Sequence, residues 1–194
     1  MTANTETDLR PGVFLDRDGT IIEDRGDLFC PLQVEFFDET ITSLQMLQGQ
    51  FLLFIVTNQS GVAKGIMTLQ DVERVNASVL SRLAQKGVRI VETYICPHSR
   101  ADGCHCIKPN PYFLLKAKSE HNIDLCRSFV IGDHPHDVEL ATNAGSQGIY
   151  VLTGHGVKHR EEIPPNTIVK TGIREAVQFI LHKSSGCGLK VGGS

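Results

Sequence analysis

Residues 13–21 read VFLDRDGTI. Val13, Phe14 and Leu15 form an apolar run that stops abruptly at Asp16, and Asp18 follows two residues later with Gly19 behind it. An apolar run without polar alternation fits a strand covered on both faces, which is the condition of a parallel sheet. A spacing of two sets both carboxylates on one side of an extended chain and sends Arg17 to the other, and a glycine next permits a sharp turn. Two more runs end the same way: FLLFIVTN at 51–58 closes on Thr57 and Asn58, and SFVIGD at 128–133 closes on Asp133. Ligands of open parallel sheets sit beyond the carboxyl ends of the strands, so these side chains converge on one cleft although they are distant in sequence.

The remainder of the chain repeats the strand and helix alternation. Helices are expected near Glu39 to Leu47, from a Thr68 cap through Val72, Val75, Leu80 and Leu83 to a stop at Gly87, from Tyr112 to His121, after Asp133 to about Asn143, and from Ile173 to Leu181. Strands are expected at RIVETYI, GIYVL and NTIVK. The class is therefore α/β, a Rossmann-like three-layer parallel sheet flanked by helices, and 194 residues suit one core with modest elaboration. Residues 11–183 read as that single domain, and the polar stretch 1–10 and the Gly- and Ser-rich 184–194 read as flexible tails.

Composition narrows the partners. Net charge is −3 with lysines and arginines scattered, which gives no footprint for a nucleic acid backbone, while small anionic substrates remain compatible. No apolar run reaches the roughly 20 residues of a membrane span, and MTANTETDLR has neither the basic start nor the apolar stretch of a secretory signal, so the expected compartment is the cytoplasm. No feature of the sequence sets an oligomeric state.

Crowded carboxylates repel, and Mg²⁺ relieves the repulsion by taking oxygen ligands from one or two of them and from a substrate phosphate. In order, FLDRDGTI, VTNQSGVAKG, the IKP at 107–109 and FVIGDHPHD resemble the four motifs of the haloacid dehalogenase superfamily of phosphatases, over roughly residues 12–153. The resemblance implies that Asp16 is the nucleophile and that Asp18 is the general acid and base. It also makes Asp133, the Asp16 carboxylate and the backbone carbonyl of Asp18 the magnesium ligands, and sets Thr57 and Asn58 on phosphoryl oxygens. Lys108 would stabilise charge on the transferring group. Lys64 and His134 are candidate substrate contacts. His136 flanks the same helix start, and Asp137 is either a partner of the metal site or a carboxylate favoured by the helix dipole.

The string CPHSRADGCHCIKP supplies Cys96, His98, Cys104 and Cys106, a tetrahedral zinc set of three thiolates and one imidazole that leaves no position for water. The zinc is then structural, and it orders a loop two residues from Lys108. His105 is the alternative imidazole. The cluster is similar to the zinc loop of D-glycero-D-manno-heptose 1,7-bisphosphate phosphatases and histidinol-phosphate phosphatases, and with TNQSGVAKG and a minimal cap it favours the former. Those relatives usually carry arginine before the motif lysine, where this chain has Ile107, and Gly-Met after the prolines, where it has Tyr112-Phe113. The expected function is hydrolysis of a small sugar bisphosphate, with histidinol phosphate or another monoester as the alternative. A phosphorylatable signalling receiver shares the Asp, Thr, Lys and Mg²⁺, but it has no use for a hydrolytic base at Asp18.

Overall fold

A computed structural model of the chain describes residues 9–186. Six parallel strands form one sheet: β1 (Gly12–Leu15), β2 (Leu52–Asn58), β3 (Ile90–Cys96), β4 (Phe129–Gly132), β5 (Gln147–Val151) and β6 (Ile168–Lys170), in the order β3-β2-β1-β4-β5-β6. The order reverses at β1, whose neighbours are β2 on one side and β4 on the other. Five helices cover the sheet: α1 (Thr40–Leu47), α2 (Leu69–Gln85), α3 (Tyr112–His121), α4 (Pro135–Ala144) and α5 (Ile173–Gly186).

Alternation along the strands builds two cores. Val13, Leu15, Leu53, Ile55, Phe129 and Ile131 pack with Leu44, Leu47, Val75, Val79, Leu83 and Val177, which places α1, α2 and α5 on one face. Phe14, Phe54, Val56 and Val130 face the other way, against Phe113, Leu114, Ala117, Leu140 and Ala141 of α3 and α4. Each fully buried side chain of this size contributes roughly 1.5–3 kcal/mol. With both faces of the central strands covered, their carboxyl ends are held still, which is what side chains with a geometric task require.

The helices and strands fall where the apolar periodicity places them, with ends displaced by a few residues. At α2, Thr68 accepts from the Asp71 N–H while Asp71 accepts from the Thr68 N–H, a reciprocal cap. Val79, one residue before the expected Leu80, is the fully buried member of that stripe. Helix α5 runs beyond Leu181 to Gly186, since Ser184 and Ser185 donate back to the carbonyls of Ile180 and Leu181 instead of breaking the helix. Arg10 also belongs to the fold rather than to a tail: its N–H donates to the Asn122 carbonyl and its own carbonyl accepts from the Asp124 N–H. The remaining tail residues, 1–8 and 187–194, lie outside the described residues. Between β1 and α1 the chain makes isolated bridges, Asp18 with Ile22 and Ile22 with Phe36, and one 3-10 turn at Pro31–Gln33. That segment is what stands in the place of a cap. No helix among the described residues is long and apolar enough to cross a membrane.

Candidate active site

Asp16 directly follows β1 and has the parity of Phe14, so it leaves the sheet toward α3 and α4. Its N–H donates to the Ile131 carbonyl of β4 at 2.9 Å, which fixes its backbone at the reversal of strand order. Its carboxylate accepts from Lys108 Nζ at 2.5 Å. The same ammonium donates to Asp137 Oδ1 at 2.7 Å and to the Val56 carbonyl at 3.1 Å, so all three of its N–H groups have partners. Burial works against the Lys108 charge, but Asp137 and Asp16 more than compensate and hold its pKa above the usual lysine range.

Asp133 follows β4, and its carboxylate accepts from the Thr20 hydroxyl at 3.4 Å and from the His155 N–H at 2.7 Å. Gly19 exists to let it in. Its φ is +78°, and a Cβ there would lie 2.2 Å from Asp133 Oδ2. Gly132 does the same for Asp137, since a Cβ would meet that carboxyl carbon at 2.2 Å. Asp137 also accepts from the His134 N–H at 3.1 Å, so it caps α4, as the helix-start reading expects, and in addition pairs with Lys108.

The carboxylates of Asp16, Asp133 and Asp137 each offer an oxygen within 4.8 Å of the others. Ionised together, three buried carboxylates against one ammonium would leave two negative charges. Burial, followed by repulsion from Asp16 and Asp137, pushes Asp133 up to about 8. Burial also raises Asp16, against the pull of Lys108. A hard divalent cation with oxygen ligands about 2.1 Å away fits both the spacing and the charge. Of the ligands expected from sequence, Asp16 and Asp133 contribute carboxylates to this cluster; Asp18 is expected to contribute its backbone carbonyl, and its carboxylate is free for another task.

The Asp18 carboxylate is held from the other face of the sheet. Arg17 has the parity of Leu15, so it enters the α2 side, where it is fully buried. Its Nε and Nη2 donate to Asp18 at 2.8–3.1 Å, and Nη1 donates to Asn76 Oδ1 of α2 at 2.7 Å. Gln59 Nε2 donates to both Asp18 Oδ2 and Thr57 Oγ1, each at 2.8 Å. Burial raises the Asp18 pKa, and Arg17 opposes the rise. Arg17, Gln59 and Asn76 are positioning residues that the sequence did not disclose. Only Asn76 left a signal, as a polar residue on the apolar stripe of a helix.

Asp16, Asp18, Thr57, Asn58, Lys108, Asp133 and His134 line one cleft of about 280 Å³, together with Asp24, Arg100, His136, Asp137 and His155. Lys64 is not among them: it sits exposed on the turn after β2. Ile107 is buried in the α3 and α4 core with Tyr94, Phe113 and Leu114, and presents no surface to the cleft.

Beside the cleft, the donor atoms of Cys96, His98, Cys104 and Cys106 gather within 4.8 Å of one another. Sulfur separations are 3.1 Å for Cys96 to Cys106, 3.6 Å for Cys96 to Cys104 and 3.7 Å for Cys104 to Cys106. His98 Nδ1 lies 3.4 Å from Cys106 Sγ and 3.8 Å from Cys96 Sγ. Metal–sulfur bonds of about 2.3 Å imply tetrahedral edges of about 3.8 Å, so the set fits a zinc ion. His98 provides the imidazole, and His105 is exposed. The loop is tied to the cleft, since the Lys108 N–H donates to Asn58 Oδ1 at 3.2 Å.

An aspartate pair after the first strand, a lysine on the first aspartate and an acidic cluster completed after the fourth strand form the arrangement expected of a phosphatase of haloacid dehalogenase type. A family model described as HAD-hydrolase-like matches residues 105–176. The chain is 35% identical over 172 residues to the D-glycero-beta-D-manno-heptose-1,7-bisphosphate 7-phosphatase of Yersinia pestis, covering 83% of this chain and 90% of that one. It is 39% identical over 140 residues to a probable D-glycero-D-manno-heptose-1,7-bisphosphate 7-phosphatase of Thermoplasma acidophilum, covering 69% and 84%. The crystal structure of the D,D-heptose 1,7-bisphosphate phosphatase from B. bronchiseptica, complexed with magnesium and phosphate, superposes with a TM-score of 0.82 at 26% identity, covering 89% of this chain and 99% of that one. The chain belongs to the heptose-1,7-bisphosphate phosphatase family of phosphoric monoester hydrolases within the haloacid dehalogenase superfamily.

Proposed function

We propose that residues 11–183 act as one domain, a magnesium-dependent phosphatase that removes the 7-phosphate of a heptose 1,7-bisphosphate through an aspartyl-phosphate on Asp16. The observation that carries this proposal is the pairing of Asp16 with Lys108 at 2.5 Å in a cleft where Asp18 is independently held two residues away. An Asp16 oxygen attacks phosphorus, the ester P–O bond breaks, and its electron pair goes to the leaving oxygen, which takes the proton of Asp18. The Asp18 carboxylate then removes a proton from the water that attacks the phosphoaspartate, which releases phosphate and restores Asp16. Burial favours a protonated Asp18 at the first step, and the Arg17 fork supports the carboxylate left after it. Thr57 and Asn58 hold phosphoryl oxygens, and the Lys108 ammonium balances charge as it spreads over them.

Magnesium bound by Asp16, Asp133 and the Asp18 carbonyl would neutralise phosphoryl charge and screen the carboxylate cluster. Zinc on Cys96, His98, Cys104 and Cys106 would be structural and hold the loop that leads to Lys108. A reduced thiolate cluster suits the cytoplasm, the expected compartment.

The test compares kcat/KM across heptose and hexose bisphosphates, their monophosphates and histidinol phosphate, with Asp16→Asn as the control. The expected result is highest efficiency on the heptose bisphosphate and a loss of at least about 1000-fold in the variant. Preference for histidinol phosphate would replace the substrate, and a fully active, folded Asp16→Asn enzyme would remove the nucleophile.

A further inference from the structure

The cleft is strongly acidic, yet it must accept a substrate with two phosphates. Lys108 cannot serve both, since its three N–H groups are engaged by Asp16, Val56 and Asp137. One guanidinium lines the cleft, that of Arg100. It comes from the metal loop, between His98 and Cys104, on a 3-10 turn over Arg100–Asp102. The turn is fixed at its start, because Asp102 Oδ2 accepts from the Ser99 N–H at 2.7 Å and the Ser99 hydroxyl at 2.9 Å.

Arg100 Nη2 donates to His136 Nε2 at 2.6 Å and approaches the Lys108 carbonyl at 3.5 Å. Among the described residues it has no carboxylate partner, although the cleft it faces contains five aspartates. The bond to His136 requires that imidazole to accept at Nε2 and so to carry its proton on Nδ1, 2.7 Å from His134 Nδ1. The two imidazoles are stacked, with centroids 4.4 Å apart. The guanidinium is therefore aimed by the metal loop below it and by two stacked histidines beside it, with most of its donors unspent. A guanidinium with free parallel donors matches a phosphate bidentately.

We propose that Arg100 receives the second, untransferred phosphate of the substrate and is the residue by which this enzyme selects bisphosphate over monophosphate. The assignment rests on the bisphosphatase function proposed above. It makes the metal loop a specificity element as well as a brace for Lys108.

The experiment measures kcat/KM on heptose 1,7-bisphosphate and on heptose 7-phosphate for the wild type, Arg100→Ala and Arg100→Lys, with zinc content and thermal midpoint recorded for each. Arg100→Ala is expected to lower the bisphosphate value at least about tenfold more than the monophosphate value, and Arg100→Lys to recover part of the difference, with zinc retained. Proportional losses on both esters, or an unchanged ratio, overturn the role of Arg100 while leaving the bisphosphatase intact. A wild type without preference for the bisphosphate overturns that function and the Arg100 assignment with it. Loss of zinc in both variants shows that Arg100 acts by holding the loop, and overturns direct contact.

Discussion

Asp16 and Arg17 are adjacent, and strand parity sends them to opposite faces of the sheet. The aspartate meets Lys108, and the arginine turns back under β1 to grip Asp18 and reach Asn76 on α2. Removing one partner of a buried charge pair leaves the other uncompensated, so Arg17→Met is expected to lower stability by about 3 kcal/mol and to slow turnover, because Asp18 loses its fork. Arg17→Lys keeps the charge without the fork and should fall between. Urea unfolding beside steady-state rates checks both, and a Met variant as stable as the wild type would show that the clamp is dispensable. Asp16, Asp18, Thr57, Asn58 and Asp133 were legible in the sequence because each stands at or just past the abrupt end of an apolar run. Arg17 and Gln59 were not, because their partners come from elements brought near only by folding.

At the scale of elements, the sequence disclosed the gathering of Cys96, His98, Cys104 and Cys106, and left hardly any sign of the approach of that loop to the cleft. Four donors within eleven residues, Cys96 to Cys106, declare a metal by their spacing, and the donor separations fit one. That the same loop carries Arg100 to the cleft depends on the turn at Ser99 and on contact with His136 of α4, neither of which has a period to read. Ile107 shows the same limit: the sequence marks it as standing where relatives usually carry arginine, and only the fold shows that it packs into the core with Phe113 and Leu114. Zinc should be present at about one equivalent per chain. Cys104→Ser is expected to lose most of it, to melt at lower temperature, and to lose kcat, because Lys108 is anchored two residues beyond Cys106 and by Asn58. Metal analysis and melting on the same preparation check this. A variant that loses zinc but keeps its full rate would confine the metal to local folding and separate the loop from catalysis.

Across the whole molecule, the parallel sheet gathers acidic groups from β1 and β4 into a single pocket, and the arrangement opposes folding where it serves binding. The class was legible because alternating apolar runs and helical stripes allow little else, whereas the strand order, which makes β1 and β4 neighbours, had no local signature. Asp16, Asp133 and Asp137 face one Lys108, and burial raises the first two carboxyls above their ordinary range, so the metal-free protein keeps an unfavourable pocket. On the proposed function magnesium would bind the folded pocket and not the unfolded chain, so it should stabilise by about 2.7 kcal/mol at 100 times its Kd. Asp133→Asn removes a carboxyl whose ionisation the empty pocket opposes, while leaving an oxygen to accept from the His155 N–H. Without magnesium that variant is expected to melt at a higher temperature than the wild type, since the repulsion is relieved, and added magnesium should then leave its melting point unchanged. Its activity should be lost at the same time. Thermal melts of both proteins with chelator and with magnesium decide the matter. A variant that melts lower than the wild type in chelator would mean that Asp133 supports the fold through Thr20 and His155 more than it strains it. One that still responds to magnesium would move the cation off Asp133. The combination of a more stable metal-free variant and a vanished magnesium response is the signature of a pocket built for the cation at the expense of the empty fold.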